Sequence, residues 1–150
     1  MSVMEVAMRI VILAMLIGLS AWAGAAAAQD TRWASAVRAD GWPPARLTSD
    51  GDMLIYRRPA PAGPEGYPRL QLRYEYRDGE VMGGKRYLSM LSLDEYDCRG
   101  GRFRNLRVAV FAGHNAEGQS IQPPDATDPW AKPQPGTVDG KSLEIACAKR

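Results

Sequence analysis

The residues of this 150-residue chain whose types bear on chemistry are two cysteines, one histidine and a crowd of arginines in its middle. Cys98 stands in LDEYDCRGGRFRNL and Cys147 in SLEIACAKR. Such a pair could ligate a metal, serve as a nucleophile or redox couple, or form one structural bridge. Zinc takes about four ligands, and two cysteines with His114 fall short of that. No C-x-x-C spacing is present to poise a redox thiol. The reading left is a disulfide between Cys98 and Cys147, which needs an oxidising compartment.

The first residues supply that condition. A weakly basic start, MSVMEVAMR, precedes IVILAMLIGLSAWAGAAAAQD, an apolar run that decays into small side chains. That is the pattern of a secretory signal. Ala26 and Ala28 place the cut before Gln29, giving a signal peptide over 1–28 and a mature chain over 29–150. An uncleaved anchor is the alternative, because Ile10 to Ala28 approaches the ~20 residues that span a bilayer. Alanine-rich ends favour cleavage, and the segment has no cysteine to carry a lipid. The expected location is therefore periplasmic, cell-surface or secreted, with no membrane span after cleavage. Arg9 and Glu5 leave together, so the net charge stays at +2. The mature length suits one small domain that gains from a covalent staple.

The elements that must position these residues are mostly strands. In RLQLRYEYR, Leu70, Leu72, Tyr74 and Tyr76 alternate with Arg69, Gln71, Arg73, Glu75 and Arg77, the period of a half-buried antiparallel strand. MLIYRR reads as a shorter strand that ends at the proline-rich PAPAGPEGYP. DGEVMGGK reads as a loop into RYLSMLSLDEYDC, where both faces carry apolar residues. Gly100 and Gly101 turn the chain into RFRNLRVAVFAG, in which Leu106, Val108 and Val110 alternate with Asn105, Arg107 and Ala109. A short helix is expected around Trp33 to Val37, and a short strand near Ser120 and Ile121. The tail TVDGKSLEIACAKR forms a short helix with Leu143 and Cys147 on one face, although Gly140 weakens its first turn. A bridge from that face would pin the helix to the strand ending at Cys98.

No catalytic set stands out. His114 lies between glycines in AGHNAEG, the setting of a solvated turn residue. Ser89 and Ser92 lack a G-x-S-x-G elbow. Asp94, Glu95 and Asp97 alternate in a strand, so neighbours diverge rather than converge as paired carboxylates. There is no P-loop and no dinucleotide fingerprint, and no cofactor is expected. The basic residues point instead to binding. From Arg57 to Arg107 there are eleven Lys or Arg against seven acidic residues. Arg69, Arg73 and Arg77 share one strand face, and Arg102, Arg104 and Arg107 crowd the next strand. Guanidinium groups favour planar anions, so these six are candidates for an acidic protein segment or an acidic glycan. The competing reading is a face kept soluble by charge. Nucleic acid fits poorly, since an exported chain of low net charge seldom meets it.

Tyr96-Asp97-Cys98 closing a strand, the basic strand after it, Trp130 followed by Pro135-Gly136-Thr137, and a terminal segment closing on Cys147 together resemble the surface-adhesin protein E family. The resemblance covers about Met53 to Cys147. It implies an α+β fold, an antiparallel sheet with a C-terminal helix tied to it by the disulfide. It also implies a non-enzymatic binding role, since founding members hold host extracellular-matrix and plasma proteins. This chain departs from them in lacking a lipoprotein cysteine. An alternative is a periplasmic inhibitor of cell-wall hydrolases or an envelope-accessory protein, but the arginine-rich middle would repel basic lysozymes.

Overall fold

The computed structural model describes residues 30–121 and 127–148. The signal segment read over residues 1–28 lies outside them. The described residues form helix α1 (Arg32–Ala36), strands β1 (Arg46–Leu47), β2 (Met53–Ala60), β3 (Arg69–Met82), β4 (Lys85–Asp97), β5 (Arg102–Phe111) and β6 (Ser120–Ile121), and helix α2 (Val138–Cys147). The strands make one sheet in chain order, each antiparallel to the next. Short connections force this meander, because only antiparallel neighbours can be joined by tight turns.

The stretch DGEVMGGK is not the loop expected of it. Asp78 to Met82 continue β3, and only Gly83 and Gly84 turn the chain, both with positive φ. The alternation was obscured by an irregular register between Glu75 and Glu80. Gly79 sits in that bulge at φ +77°, where a Cβ would stand 2.7 Å from the Tyr87 carbonyl oxygen. Asp78-Gly79, the start of the stretch read as a loop, therefore kinks a long hairpin instead.

A second irregularity, at Leu106, changes which side chains share a face. Leu93 pairs with Arg107 and Asp94 with Asn105, so β5 carries one extra residue. Arg102 and Arg104 thus stay on the same face as Arg107, despite the odd spacing. The alternation expected of Leu106, Val108 and Val110 with Asn105 breaks at the same point.

One face of the sheet holds the core. Ile55, Leu70, Leu72, Tyr74 and Tyr96 are buried there, and Val138, Leu143, Ala146 and Cys147 of the α2 segment pack on them. Thr137 caps α2, its hydroxyl accepting from Gly140 N at 3.2 Å. Gly140 is demanded by packing, since a Cβ there would meet the Gln134 carbonyl oxygen at 2.5 Å. Cys98 and Cys147 are bonded, with Cα atoms 5.6 Å apart. The fold is the single α+β domain expected, with its C-terminal helix stapled to the end of β4.

Candidate functional site

The sheet's other face carries the arginines, and the strand register sorts it into rows. Ala60, Arg69, Glu95 and Arg104 are successive partners across β2 to β5. The next row is Arg58, Gln71, Leu93 and Arg107, and the one after is Tyr56, Arg73, Leu91 and Ala109. Leu54, Glu75, Ser89 and Phe111 follow. Each row presents its side chains side by side about 4.8 Å apart.

The Glu95 row is neutralised within the chain. Glu95 is buried, and Arg69 Nε donates to its Oε1 at 2.9 Å while Arg104 Nε and Nη2 donate to Oε2 at 3.0 and 2.6 Å. Burial alone would raise this carboxyl, but the hydrogen bonds from Arg104 and Arg69 win and hold it below its ordinary value. Gly63 makes room for the group, because a Cβ there would collide with Glu95 Oε1 and lie 2.7 Å from Arg69 Nη2. Trp130 covers the cluster, with the Arg104 guanidinium 4.3 Å from its ring centre and Tyr67 edge-on at 5.2 Å. Arg102 donates to Asp97 at 2.9 Å.

The opposite end is also closed. Glu75 is fully buried and accepts from Asn115 N at 3.0 Å, with His114 Nδ1 at 3.0 Å. Arg73 Nε stands 3.1 Å from Glu75 Oε1, an ion-pair contact without hydrogen-bond alignment, and its Nη2 donates to the Arg38 carbonyl. Burial pushes the Glu75 carboxyl up, against the pull of Asn115, His114 and Arg73. Trp33 stacks on His114 at 6.0 Å, so the N-terminal segment roofs this end. The histidine is a structural partner of Glu75 rather than a solvated turn residue. It faces no presented nucleophile: Ser89 is buried, and its hydroxyl donates to Gly113 O and accepts from Ala116 N. Among the described residues no group of His, Cys, Asp and Glu is placed to hold a metal, and no helix is long and apolar enough to cross a membrane.

Between these ends lies an open cleft of about 190 Å³. Leu91, Leu93 and Ala109 floor it, with Trp42 and Arg58 on one side and Arg107 on the other. Arg58 Nε donates to Gln71 Oε1 at 2.7 Å, and its guanidinium lies 4.1 Å over the Trp42 ring. Neither Arg58 nor Arg107 meets a carboxylate among the described residues. The volume is below the ~300–1,000 Å³ of small-molecule sites and suits one anchoring side chain.

Of the six arginines singled out from sequence, five meet carboxylates inside the domain. Arg69 and Arg104 share Glu95, Arg73 meets Glu75, Arg102 meets Asp97, and Arg77 reaches Asp52 at 2.8 Å and Asp78 at 2.9 Å. Arg107 alone stands without one among the described residues, and the structure brings it into line with Arg58, which sequence reasoning left out. Trp42, Leu91 and Leu93 were missed too. Their signal is a cross-strand row, and rows appear only once the register is known.

No curated protein and no solved structure matches the chain. The family model of surface-adhesin protein E matches residues 46–148, which spans β1 to the end of α2 and includes both cysteines. The chain belongs to the surface-adhesin protein E family.

Proposed function

We propose that this chain is an exported, non-enzymatic binding domain of the cell envelope or surface, and that it holds an extracellular or envelope macromolecule through the open middle of its second sheet face. The family points to a surface-adhesin role. The observation that carries the site is the row Arg58, Gln71, Leu93 and Arg107, where two arginines flank an apolar floor while their neighbours are spent on internal carboxylates. A patch with an apolar centre and a charged rim is how protein interfaces are built. The arrangement of His114, Glu75 and buried Ser89 supports binding over turnover, because no group there is presented to a substrate.

The test uses protein exported with its own leader and purified. It is passed over immobilised, purified extracellular-matrix and plasma glycoproteins, alongside a Leu91→Lys/Leu93→Lys variant and a Lys141→Ala control on the exposed side of α2. Binding that falls about tenfold or more in the sheet variant, and not in the control, supports the face. Binding that survives the sheet variant refutes it. Surface labelling of intact cells that leaves the protein unmodified would remove the surface role.

A further inference from the structure

The open cleft has a repeat distance as well as a charge. Arg58 and Arg107 occupy the two ends of one cross-strand row, with Gln71 and Leu93 between them. Three inter-strand steps of about 4.8 Å separate their backbones by roughly 14 Å. An extended peptide advances about 3.3 Å per residue, so positions i and i+4 stand roughly 13 Å apart. In such a peptide i, i+2 and i+4 project to the same side.

Resting on the proposed use of this face, we propose that the cleft is a docking site for an extended acidic peptide segment of the pattern carboxylate–x–apolar–x–carboxylate. The two carboxylates meet the Arg107 and Arg58 guanidiniums, and the apolar side chain between them enters the cleft over Leu91, Leu93 and Ala109. The peptide crosses the strands, laid along the row. Arg58 is prepared for this: its Nε is fixed by Gln71 Oε1 and its plane rests on Trp42, which leaves its amino groups to a bidentate carboxylate. Arg107 is exposed and makes no side-chain hydrogen bond or ion pair among the described residues.

An acidic glycan would also bring anions, but the cleft favours a peptide. Sugar rings bind by stacking on open aromatic faces, whereas the floor here is aliphatic and the Trp42 ring already carries Arg58 at 4.1 Å. The volume also matches a single aliphatic or aromatic side chain.

The experiment titrates the full-length exported protein, isotope-labelled, with the blocked peptide acetyl-Gly-Glu-Ser-Leu-Ser-Glu-Gly-amide and follows amide shifts by NMR. Saturable shifts are expected at Leu91, Leu93, Arg107 and Ala109. Arg58→Gln and Arg107→Gln should each weaken binding about threefold, and roughly tenfold together, as expected for exposed, independent pairs. Leu93→Glu, which sets a carboxylate between the two arginines, should abolish it while far-UV circular dichroism stays unchanged. Replacing both glutamates by glutamine, or placing them side by side, should remove the shifts.

Equal binding by the side-by-side peptide overturns the proposal, as does indifference to both arginine variants. A sulfated oligosaccharide that shifts these amides when the peptide does not would make the cleft a glycan site and overturn it as well. Should the peptide fail while capture of a matrix protein still depends on Leu91 and Leu93, the spacing pattern is wrong and the face stands. Should both be insensitive, the face itself is wrong.

Discussion

Removing the bridge between Cys98 and Cys147 should cost this domain about 3–4 kcal/mol, and most of that loss should come from the unfolded chain. The bonded residues are 49 apart in sequence. Closing a loop of about fifty residues removes unfolded-state entropy equivalent to roughly 4 kcal/mol at 25 °C. The native contacts of α2 survive in a Cys98→Ser/Cys147→Ser variant, because Val138 and Leu143 still pack on the sheet and Ser142 still accepts from Arg57 at 2.8 Å. Native packing therefore offsets little of the change. The loss is a large share of the ~5–15 kcal/mol that holds a typical domain together. Urea unfolding followed by the fluorescence of Trp33, Trp42 and Trp130 reads it directly, with both cysteines replaced so that no stray thiol dimerises. The midpoint should fall and the slope with urea should rise, since the unbridged chain exposes more surface. A loss below about 1 kcal/mol with an unchanged slope would refute the loop-closure reasoning. Peptide mapping of the non-reduced protein must also recover the Cys98–Cys147 linkage.

Glu95→Gln leaves Arg69 and Arg104 half-buried beside a neutral side chain, and should cost about 2–3 kcal/mol in the same urea assay, a little under the usual penalty for breaking a fully buried pair. A cost within experimental scatter would mean that water replaces the carboxylate. Asp94 is buried under the helix and held by Asn105 Nδ2 at 2.7 Å, and burial pushes its carboxyl up to about 6. A folded value above the unfolded one means that the folded state binds the proton more tightly, so stability is full below about pH 4 and declines as pH rises through 6. The ionised group then costs up to about 3 kcal/mol. Asp94→Asn, which keeps the acceptor for Asn105, should therefore stabilise the protein by about 2 kcal/mol at pH 8 and not at pH 4. Equal effects at both pH values would contradict this assignment. Thr137→Ala removes the cap of α2 and should lower stability by about 1 kcal/mol; an unchanged melting temperature would show that the packing of Val138 and Leu143, not the cap, holds the helix start.

The fold was largely legible because its strongest signals are local. Alternation in RLQLRYEYR, the glycine turn at 100–101 and the helical spacing of Leu143 and Cys147 each announce an element, and two cysteines in one small domain have only each other to pair with. The length of β3 was hidden by a bulge, since Asp78-Gly79 carries the residue types of a turn and serves to kink a strand.

The binding face was harder to read for a different reason: whether an arginine is available depends on residues far away in sequence. Arg69 is silenced by Glu95, 26 positions on, and Arg73 is held beside Glu75 by a roof that includes the Arg38 carbonyl. The extra residue at Leu106 then decides that Arg104 and Arg107 share a face, with Arg104 opposite Glu95 and Arg107 opposite Leu93. Had Leu106 instead taken its own place in the ladder opposite Leu93, strict alternation would have turned Arg107 toward the core side whenever Arg104 met Glu95. Leaving Leu106 unpaired therefore allows one strand both to neutralise a buried carboxylate and to offer a cation to the open cleft, and deleting Leu106 should give a regular strand that keeps Arg104 opposite Glu95 and Arg107 opposite Leu93. The peptide titration, repeated on that deletion, tests the point: binding at the cleft should be retained, and its loss in a protein that still folds would show that the residue counting across Leu106 does not set the site.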